Sequence, residues 1–364
     1  MPKWVLIVIL GVLLFVVTQQ HEDAQAQASA TATCTPPVTV GVHTRLNEDG
    51  YIFTLKSSET WSLKILTPEG APYAEYALPA ILHTQIFNRN ALQIDFEPFA
   101  LDFVLFVGES GKGSGSGLYR YRLGAVDAEL LDADGRSCRD GQNWARYTSP
   151  LGISRFGHSQ RVLYCTALQP PQRRRGALPP PTGLRIYDLE TNTITAIGDF
   201  LAHDVRSPWF DLVAGADEDI YIVPFHPDDL RLQPNVQLVP IDSSLPTWEI
   251  WRSQVNVFRF DTESHQWSYQ AVPFSTLPGT SPSGFRDVRL LGVDSQGSLY
   301  LGNQHQPVRF SAKGELMWSL EVSTLSVGTA PFFRLRSEDT LVSLSKGQDA
   351  DIRQLSLCHV HPPS

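Results

Sequence analysis

Histidine and aspartate side chains lie close together in two segments of this chain of 364 residues. The segment "DFLAHDVRSPWFD" contains His203 and Asp204, and the segment "FHPDDL" contains His226, Asp228 and Asp229. Imidazole and carboxylate groups can hold a divalent cation such as Ca²⁺ or act as general acid and base. Neither segment has a diagnostic spacing such as H-E-x-x-H, and loops also use His and Asp for turns and solubility. We therefore treat these five residues as candidate ligand-binding residues, leave a divalent cation open, and assign no catalytic residue.

Three more side chains join this set of candidates. His305 lies in "NQHQ", and Trp248 and Trp251 lie in a long segment between two apolar runs. The large faces of the tryptophans can stack on a sugar or a peptide. They can equally pin the long segment to the domain beneath it.

Composition limits the classes of function. The net charge is −9, which argues against nucleic acid as a partner, because its phosphates require clustered lysine and arginine. The chain is 42% hydrophobic and 18% charged, so it can bury a sizeable core.

The first residues have the order of a secretory signal peptide. Lys3 precedes the apolar run "WVLIVILGVLLFVV", and a polar, alanine-rich stretch follows. The apolar run is shorter than the ~20 residues that span a bilayer comfortably, and an uncleaved membrane anchor is the alternative. Residues 1–33 are therefore predicted to be a signal peptide or anchor with a polar linker. The remainder is predicted to be secreted, periplasmic or at the cell surface, with membrane contact only through this segment.

Export makes the four cysteines candidates for disulfides. Their spacing favours pairing Cys34 with Cys358 and Cys138 with Cys165, although four cysteines allow three connectivities. No C-x-x-C motif supports a metal site instead.

Short apolar runs rich in aromatic and β-branched residues recur along the chain. They lie at 49–56, 103–109, 162–168, 219–225, 298–304 and 339–345. Most are followed, after a variable gap, by two alternating runs joined by a polar turn, as in "VNVFRFDTESHQWSYQAV", which is the pattern of a β-hairpin. A further apolar stretch precedes several of them. The unit predicts four antiparallel strands, and its recurrence predicts one all-β domain over residues 34–364. Two β-sandwiches are the alternative, but no convincing linker separates them.

These repeats resemble those of β-propeller proteins. The stretch "GVDSQGSLYLGNQHQPVRFSAKGELMW" is similar to generic propeller repeats of extracytoplasmic proteins, and "VFRFDTESHQW" and "IYDLETNTI" resemble kelch and lactonase-type repeats. The resemblance implies an all-β fold, a β-propeller of about six, or seven, four-stranded antiparallel blades. It also implies that ligands bind at a central funnel, whose rim consists of the loops between second and third strands and the connections between blades.

Three insertions fall at one position of the repeat. The segments "SGKGSGSG", "QPPQRRRGALPPPT" and "HPDDLRLQPNVQLVPIDSSLPTWEIWRSQ" all lie between second and third strands, hence on one face of the ring. The candidate residues fall on that face too. We therefore predict a binding module for a protein, peptide or glycan. The alternative is a lactonase-like, metal-dependent hydrolase.

The sixth unit has no obvious fourth strand of its own. Only "CHVHPPS" follows its last run, whereas "VTVGV" at 38–42 is available near the start of the domain. Propellers often close by such an exchange, and a disulfide between Cys34 and Cys358 would lock it. The sequence does not determine whether residues 38–42 join the first or the last blade.

Overall fold

The computed structural model describes thirteen stretches of the chain and is nearly all β. They are residues 29–41, 43–56, 61–82, 94–108, 117–136, 153–167, 182–200, 210–224, 254–273, 288–302, 306–320, 332–346 and 352–363. A short helical segment at 80–82 is the exception within these stretches.

Two strands precede a series of six sheets. They are β1 (Ser29–Cys34) and β2 (Val38–Gly41). The first sheet contains β3 (Thr44–Leu46), β4 (Ile52–Lys56), β5 (Ser62–Leu66) and β6 (Pro72–Ala77). The second contains β7 (Ile94–Phe99), β8 (Phe103–Gly108), β9 (Gly117–Arg122) and β10 (Glu129–Asp132). The third contains β11 (Gly135–Arg136), β12 (Ile153–Arg155), β13 (Arg161–Ala167), β14 (Thr182–Asp188) and β15 (Thr193–Phe200).

The remaining sheets repeat the same order. The fourth contains β16 (Phe210–Ala214), β17 (Ile220–Pro224), β18 (Gln254–Asp261) and β19 (Gln266–Pro273). The fifth contains β20 (Arg289–Val293), β21 (Leu299–Gly302), β22 (Pro307–Phe310) and β23 (Leu316–Leu320). The sixth contains β24 (Phe332–Ser337), β25 (Thr340–Lys346) and β26 (Ile352–His361).

Each sheet is built by strands that pair in chain order and antiparallel. In the fourth sheet, for example, β16 pairs with β17, β17 with β18 and β18 with β19. The third sheet differs slightly, because β11 and β12 both pair with the same strand, β13. The first strands of successive sheets contact one another from β3 to β24, so they form the inner edge of a ring.

Hydrophobic packing between neighbouring sheets closes that ring. Each pair of successive sheets shares one cluster of buried side chains, because alternate residues of a strand face opposite neighbours. Phe53 of the first sheet, for example, packs with Phe106 and Tyr121 of the second. The sixth sheet meets the first through Val342, Leu355 and Ile52. The described residues thus form a β-propeller of six blades.

The last blade takes its outer strand from the beginning of the domain. Strand β2 pairs antiparallel with β26, with Val38 opposite Leu355 and Gly41 opposite Ile352. Strand β1 continues along the same edge and also runs parallel to β23 of the fifth blade. The described part of the segment at 38–42, strand β2, therefore belongs to the last blade. Strand β1 begins at Ser29, ahead of the domain boundary that the sequence suggested.

A disulfide covers this closure. Cys34 and Cys358 are bonded across β1 and β26 and are 324 positions apart in the sequence. Cys165 is disulfide-bonded as well, and Cys138 lies outside the described residues. The predicted pairing of Cys34 with Cys358 is confirmed.

Tight turns join the first and second strands of every blade. Each turn contains a residue with positive φ, a conformation that lets the chain reverse direction. These residues are Gly50, Ala100, Gly157, Glu218, Gly297 and Asp339. The connections between second and third strands leave the opposite ends of the strands. In blades two, three and four they are residues 109–116, 168–181 and 225–253, where the sequence predicted insertions.

Candidate functional site

The eight ligand-binding candidates from the sequence all lie outside the described residues. They are His203, Asp204, His226, Asp228, Asp229, Trp248, Trp251 and His305. Their flanking strands fix their place in the topology. His203 and Asp204 lie between blades three and four, and the others lie between the second and third strands of blades four and five. The role of these side chains in ligand binding therefore stays a prediction.

A cavity of about 760 Å³ with a mixed polar and apolar lining lies inside the ring, among the first strands of all six blades. Its lining includes 44–48, 97–98, 153–155, 213–214, 290–295 and 334–338. These residues reach from the first strands into the turns that follow them. The cavity thus extends to the end of the ring opposite to the three insertions, where the sequence does not predict a site.

Asp95 ties three blades together beside the cavity. Its carboxylate forms a buried ion pair with Arg45 of blade one and accepts a hydrogen bond from the backbone N–H of Ile153 in blade three at 3.4 Å. Arg45 also donates to the carbonyl oxygen of Phe96 at 3.1 Å. A buried carboxylate with these partners positions the inner strands relative to one another.

Asp211 has the same role in the next part of the ring. Like Asp95, it is the second residue of a first strand, in "FDLVA" and "IDFEPF" respectively. It accepts from the backbone N–H of Leu290 at 2.9 Å and from Arg289 Nη1 at 3.1 Å, both of blade five. These contacts tie the inner strand of blade four to that of blade five. The signal that could have revealed the two links is an aspartate at the second position of both first strands.

Glu48 gathers side chains from several blades at one end of the cavity. Its Oε1 lies 2.7 Å from Arg155 Nη2 and 3.3 Å from His158 Nδ1, both of blade three. Its backbone carbonyl accepts from Arg336 Nη2 of blade six at 3.1 Å. The Arg155 guanidinium also lies 4.3 Å from the centre of the Phe99 ring of blade two. Four blades thus meet at this point.

Glu97 lines the same cavity and has an unusual protonation state. Burial raises its pKa to about 7, helped by the negative charge of Asp95 and opposed by the positive charges of Arg45 and Arg155. Within the described part of the chain, its carboxyl group makes no hydrogen bond or ion pair. At neutral pH it is therefore a mixture of the neutral acid and the carboxylate.

Arg336 is the counterpart of Glu97 on the cationic side. Burial lowers the pKa of its guanidinium, and no neighbouring carboxylate opposes that effect. Among the residues that the structure describes it forms no ion pair, and its one hydrogen bond goes to the carbonyl of Glu48. Arg155 differs, because Glu48 and Glu97 oppose the lowering of its pKa by burial.

Metal and membrane features are restricted to what the described residues show. They contain no group of three or more His, Cys, Asp and Glu side chains placed to hold a metal ion. No helix among them has both the length and the apolar character needed to cross a bilayer.

Comparison with known proteins adds likeness at the level of structure. No family model matches the chain, and no curated protein matches it in sequence. TolB from Acinetobacter baumannii is 10% identical, with a TM-score of 0.40, and the match covers 86% of this chain and 65% of that one. Oligogalacturonate lyase from Vibrio parahaemolyticus is 8% identical, with a TM-score of 0.39, over 91% of this chain and 97% of that one. The WD40 domain of Neurospora crassa Pan2 is 13% identical, with a TM-score of 0.41, over 89% and 95%. These are resemblances only, and the propeller assignment stands on the sheets and clusters described above.

Proposed function

We propose that this protein is an extracytoplasmic binding module that holds a protein, peptide or glycan on the insertion-bearing face of the ring. One observation carries the proposal. The three longest connections between strands that pair with each other within a blade, at 109–116, 168–181 and 225–253, all leave the same ends of their strands, whereas the opposite ends carry tight turns. Loops displayed together on a rigid scaffold are where proteins concentrate recognition.

The ring itself supports such a role. Six interblade clusters and the buried Arg45–Asp95 pair hold the strand ends that carry the insertions. Because the ends of the loops are held by a rigid scaffold, the loops lose less conformational entropy on binding, and the affinity for a ligand is correspondingly higher. Trp248 and Trp251, within 225–253, are our candidates for stacking on the partner.

Placement outside the cytoplasm rests on two features. The disulfide between Cys34 and Cys358 is stable in an oxidising compartment, and the apolar run after Lys3 has the order of a signal peptide. Mass spectrometry of the protein recovered from medium, envelope and cytosol tests this placement. A cytosolic chain with reduced cysteines would contradict it.

Binding is tested by removing the largest insertion. In one variant a short Gly-Ser linker replaces residues 225–253, and the matched control is Val126→Asp, an exposed position at the opposite ends of the strands. Both are compared with the unaltered protein on a glycan array and against a displayed library of random peptides. We expect ligands selected by the unaltered protein to be retained by the control and weakened about ten-fold or more by the replacement. Equal binding by the replacement variant, or no ligand at all, contradicts the proposal.

The alternative function, a metal-dependent hydrolase, is tested with three further variants. His203→Ala, His226→Ala and Asp228→Ala remove candidate metal ligands, and elemental analysis measures the divalent cations that co-purify. A stoichiometric cation that all three substitutions release, together with lactone hydrolysis, would replace the binding module by a metal-dependent enzyme.

A further inference from the structure

The central cavity contains two ionisable groups that differ from its other charged side chains. Most of its other charged side chains are paired: Arg155 with Glu48, and Asp294 and Glu338 with Arg309 at 2.6 and 3.0 Å. Arg336 and Glu97 differ, since neither forms an ion pair within the part of the chain that the structure describes. They lie in the same cavity, on blades six and two.

Arg336 is a partly buried cation that has no carboxylate partner among the described residues. Partial burial weakens its hydration, so a ligand that brings a negative charge is favoured beside it. The fold retains Arg336 in the cavity with a carbonyl oxygen as its described acceptor, which leaves other donors of its five N–H groups for a ligand. A guanidinium binds carboxylates through two parallel hydrogen bonds, which is the strongest neutralising contact open to it.

Glu97 sets the second requirement for a ligand. A carboxyl group that is partly neutral can both donate and accept, and hydroxyl groups can match it in either state. The rest of the lining is mixed: Thr44, Asn47 and Ser154 contribute polar groups, and Leu46, Ile153 and Leu291 contribute apolar surface. A polyol fits this combination, because its hydroxyl groups can face the polar residues while its carbon skeleton lies on the apolar ones.

Size and access are compatible with a small molecule. The volume of about 760 Å³ falls in the range of small-molecule sites. At the rim, the side chains of Glu48 and His158 are 39% and 79% exposed, so this end of the cavity opens to solvent.

We propose that the cavity binds a small polyhydroxy carboxylate, with its carboxylate on Arg336 and its hydroxyl groups on Glu97. This site lies at the opposite end of the ring from the insertions and is independent of the proposed partner-binding face. Arg155, held by Glu48 beside Arg336, adds positive charge next to the carboxylate.

Calorimetric titration of the full chain with D-gluconate tests the site. Sorbitol, which has the same carbon skeleton and no carboxylate, is the control ligand. We expect gluconate to bind and sorbitol to bind about ten-fold more weakly or not at all, since only gluconate forms a charged hydrogen-bonded pair with the guanidinium. Equal affinities for the two, or no binding of gluconate, would overturn the proposal.

Variants locate the binding. Arg336→Gln keeps a hydrogen-bond donor near the Glu48 carbonyl but removes the charge, and we expect it to weaken gluconate binding about ten-fold or more. The matched control is Arg120→Gln, because Arg120 pairs with Glu129 on outer strands, away from the cavity. Arg336→Lys should recover part of the affinity, and thermal melts show whether each variant is folded. Unchanged affinity in a folded Arg336→Gln protein sinks the assignment.

Two further measurements separate this site from its competitors. The variant that lacks 225–253 should bind gluconate as the unaltered protein does, so that failure of the partner-binding proposal leaves this one testable. An acetylated tripeptide with a free C-terminus is the second probe. If it binds and gluconate does not, the site takes a peptide end and the polyol assignment is wrong.

Discussion

Cys34 and Cys358 occupy opposed positions on β1 and β26, and their disulfide joins the start of the propeller domain to its last strand. Cys358 is fully buried between blades five and six, in the cluster that contains Trp318 and Tyr300. The bond therefore secures both the outer strand of the last blade and the closure of the ring.

Removing this bond should destabilise the protein. A crosslink over a loop this long restricts the unfolded chain, and we expect the double variant Cys34→Ala with Cys358→Ala to lose on the order of 2–5 kcal/mol of unfolding free energy. Urea denaturation measures the loss. The rate of amide hydrogen exchange in this variant should rise first in β1, β2 and β26. A uniform increase over all six blades would instead assign the disulfide no local role in closure.

The ion pair of Arg45 and Asp95 should contribute strongly because it is buried. Asp95→Asn preserves the shape of the side chain but leaves the guanidinium without its carboxylate, which costs about 3–5 kcal/mol. The matched control is Glu129→Gln, whose exposed pair with Arg120 is worth less than about 1 kcal/mol. Denaturant unfolding of both variants measures the difference. Similar losses would mean that burial does not strengthen the inner pair.

Glu97 should make stability depend on pH. Its pKa is about 7 in the folded protein, above the ordinary 4.5 of a glutamate carboxyl group, so the folded state binds the proton more tightly than the unfolded state. The contribution of protonated Glu97 to the free energy of unfolding is therefore fully present below pH 4.5 and is lost as the pH rises through 7. Glu97→Gln, which cannot ionise, should melt about 1–3 °C above the unaltered protein at pH 8.

At pH 4 this difference should disappear. Melting curves of both proteins between pH 4 and 8 provide the comparison, and Glu129→Gln is again the exposed control. A constant difference across that range would indicate a packing effect rather than titration of Glu97.

Ala100 should be replaceable with a gain in stability. Its φ of 45° is left-handed, which costs an L-residue about 1–2 kcal/mol, while glycine enters the region freely but loses more entropy on folding. We expect Ala100→Gly to stabilise by roughly 0.5–1 kcal/mol in thermal unfolding.

Gly70 provides the opposite case in the same assay. Its φ is 86°, and an added Cβ would lie 2.6 Å from Val38 Cγ1, on the strand that completes the last blade. Gly70→Ala should destabilise by about 1–3 kcal/mol. If both substitutions shift the melting temperature in the same direction, backbone conformation is not the controlling factor.

The sequence could predict the blades because each strand carries its own signal. Alternation and turn residues identify the hairpins, and the absence of a strand after "DIRQLSL" pointed to an exchange with "VTVGV". It could not choose between first and last blade, since that depends on the pairing of Val38 with Leu355, residues at opposite ends of the domain.

The cavity could not be predicted in the same way. Arg336 and Glu48 meet only because the ring brings blade six beside blade one, and no local spacing records that contact. The pKa of Glu97 is likewise set by burial and by Arg45, Asp95 and Arg155, which are contributed by three blades. Local composition indicates only the loops that contain His203, His226 and His305, because these residue types can bind or react wherever they lie.

The closure also determines how the molecule responds to mechanical load. A tether attached before Cys34 and another attached after Cys358 would meet at the Sγ–Sγ bond, so most of the pulling force would bypass the six sheets. Single-molecule stretching from such handles should leave most of the ring intact under oxidising conditions. With a reductant present, β26 and β2 should be pulled out first, because they then carry the load directly.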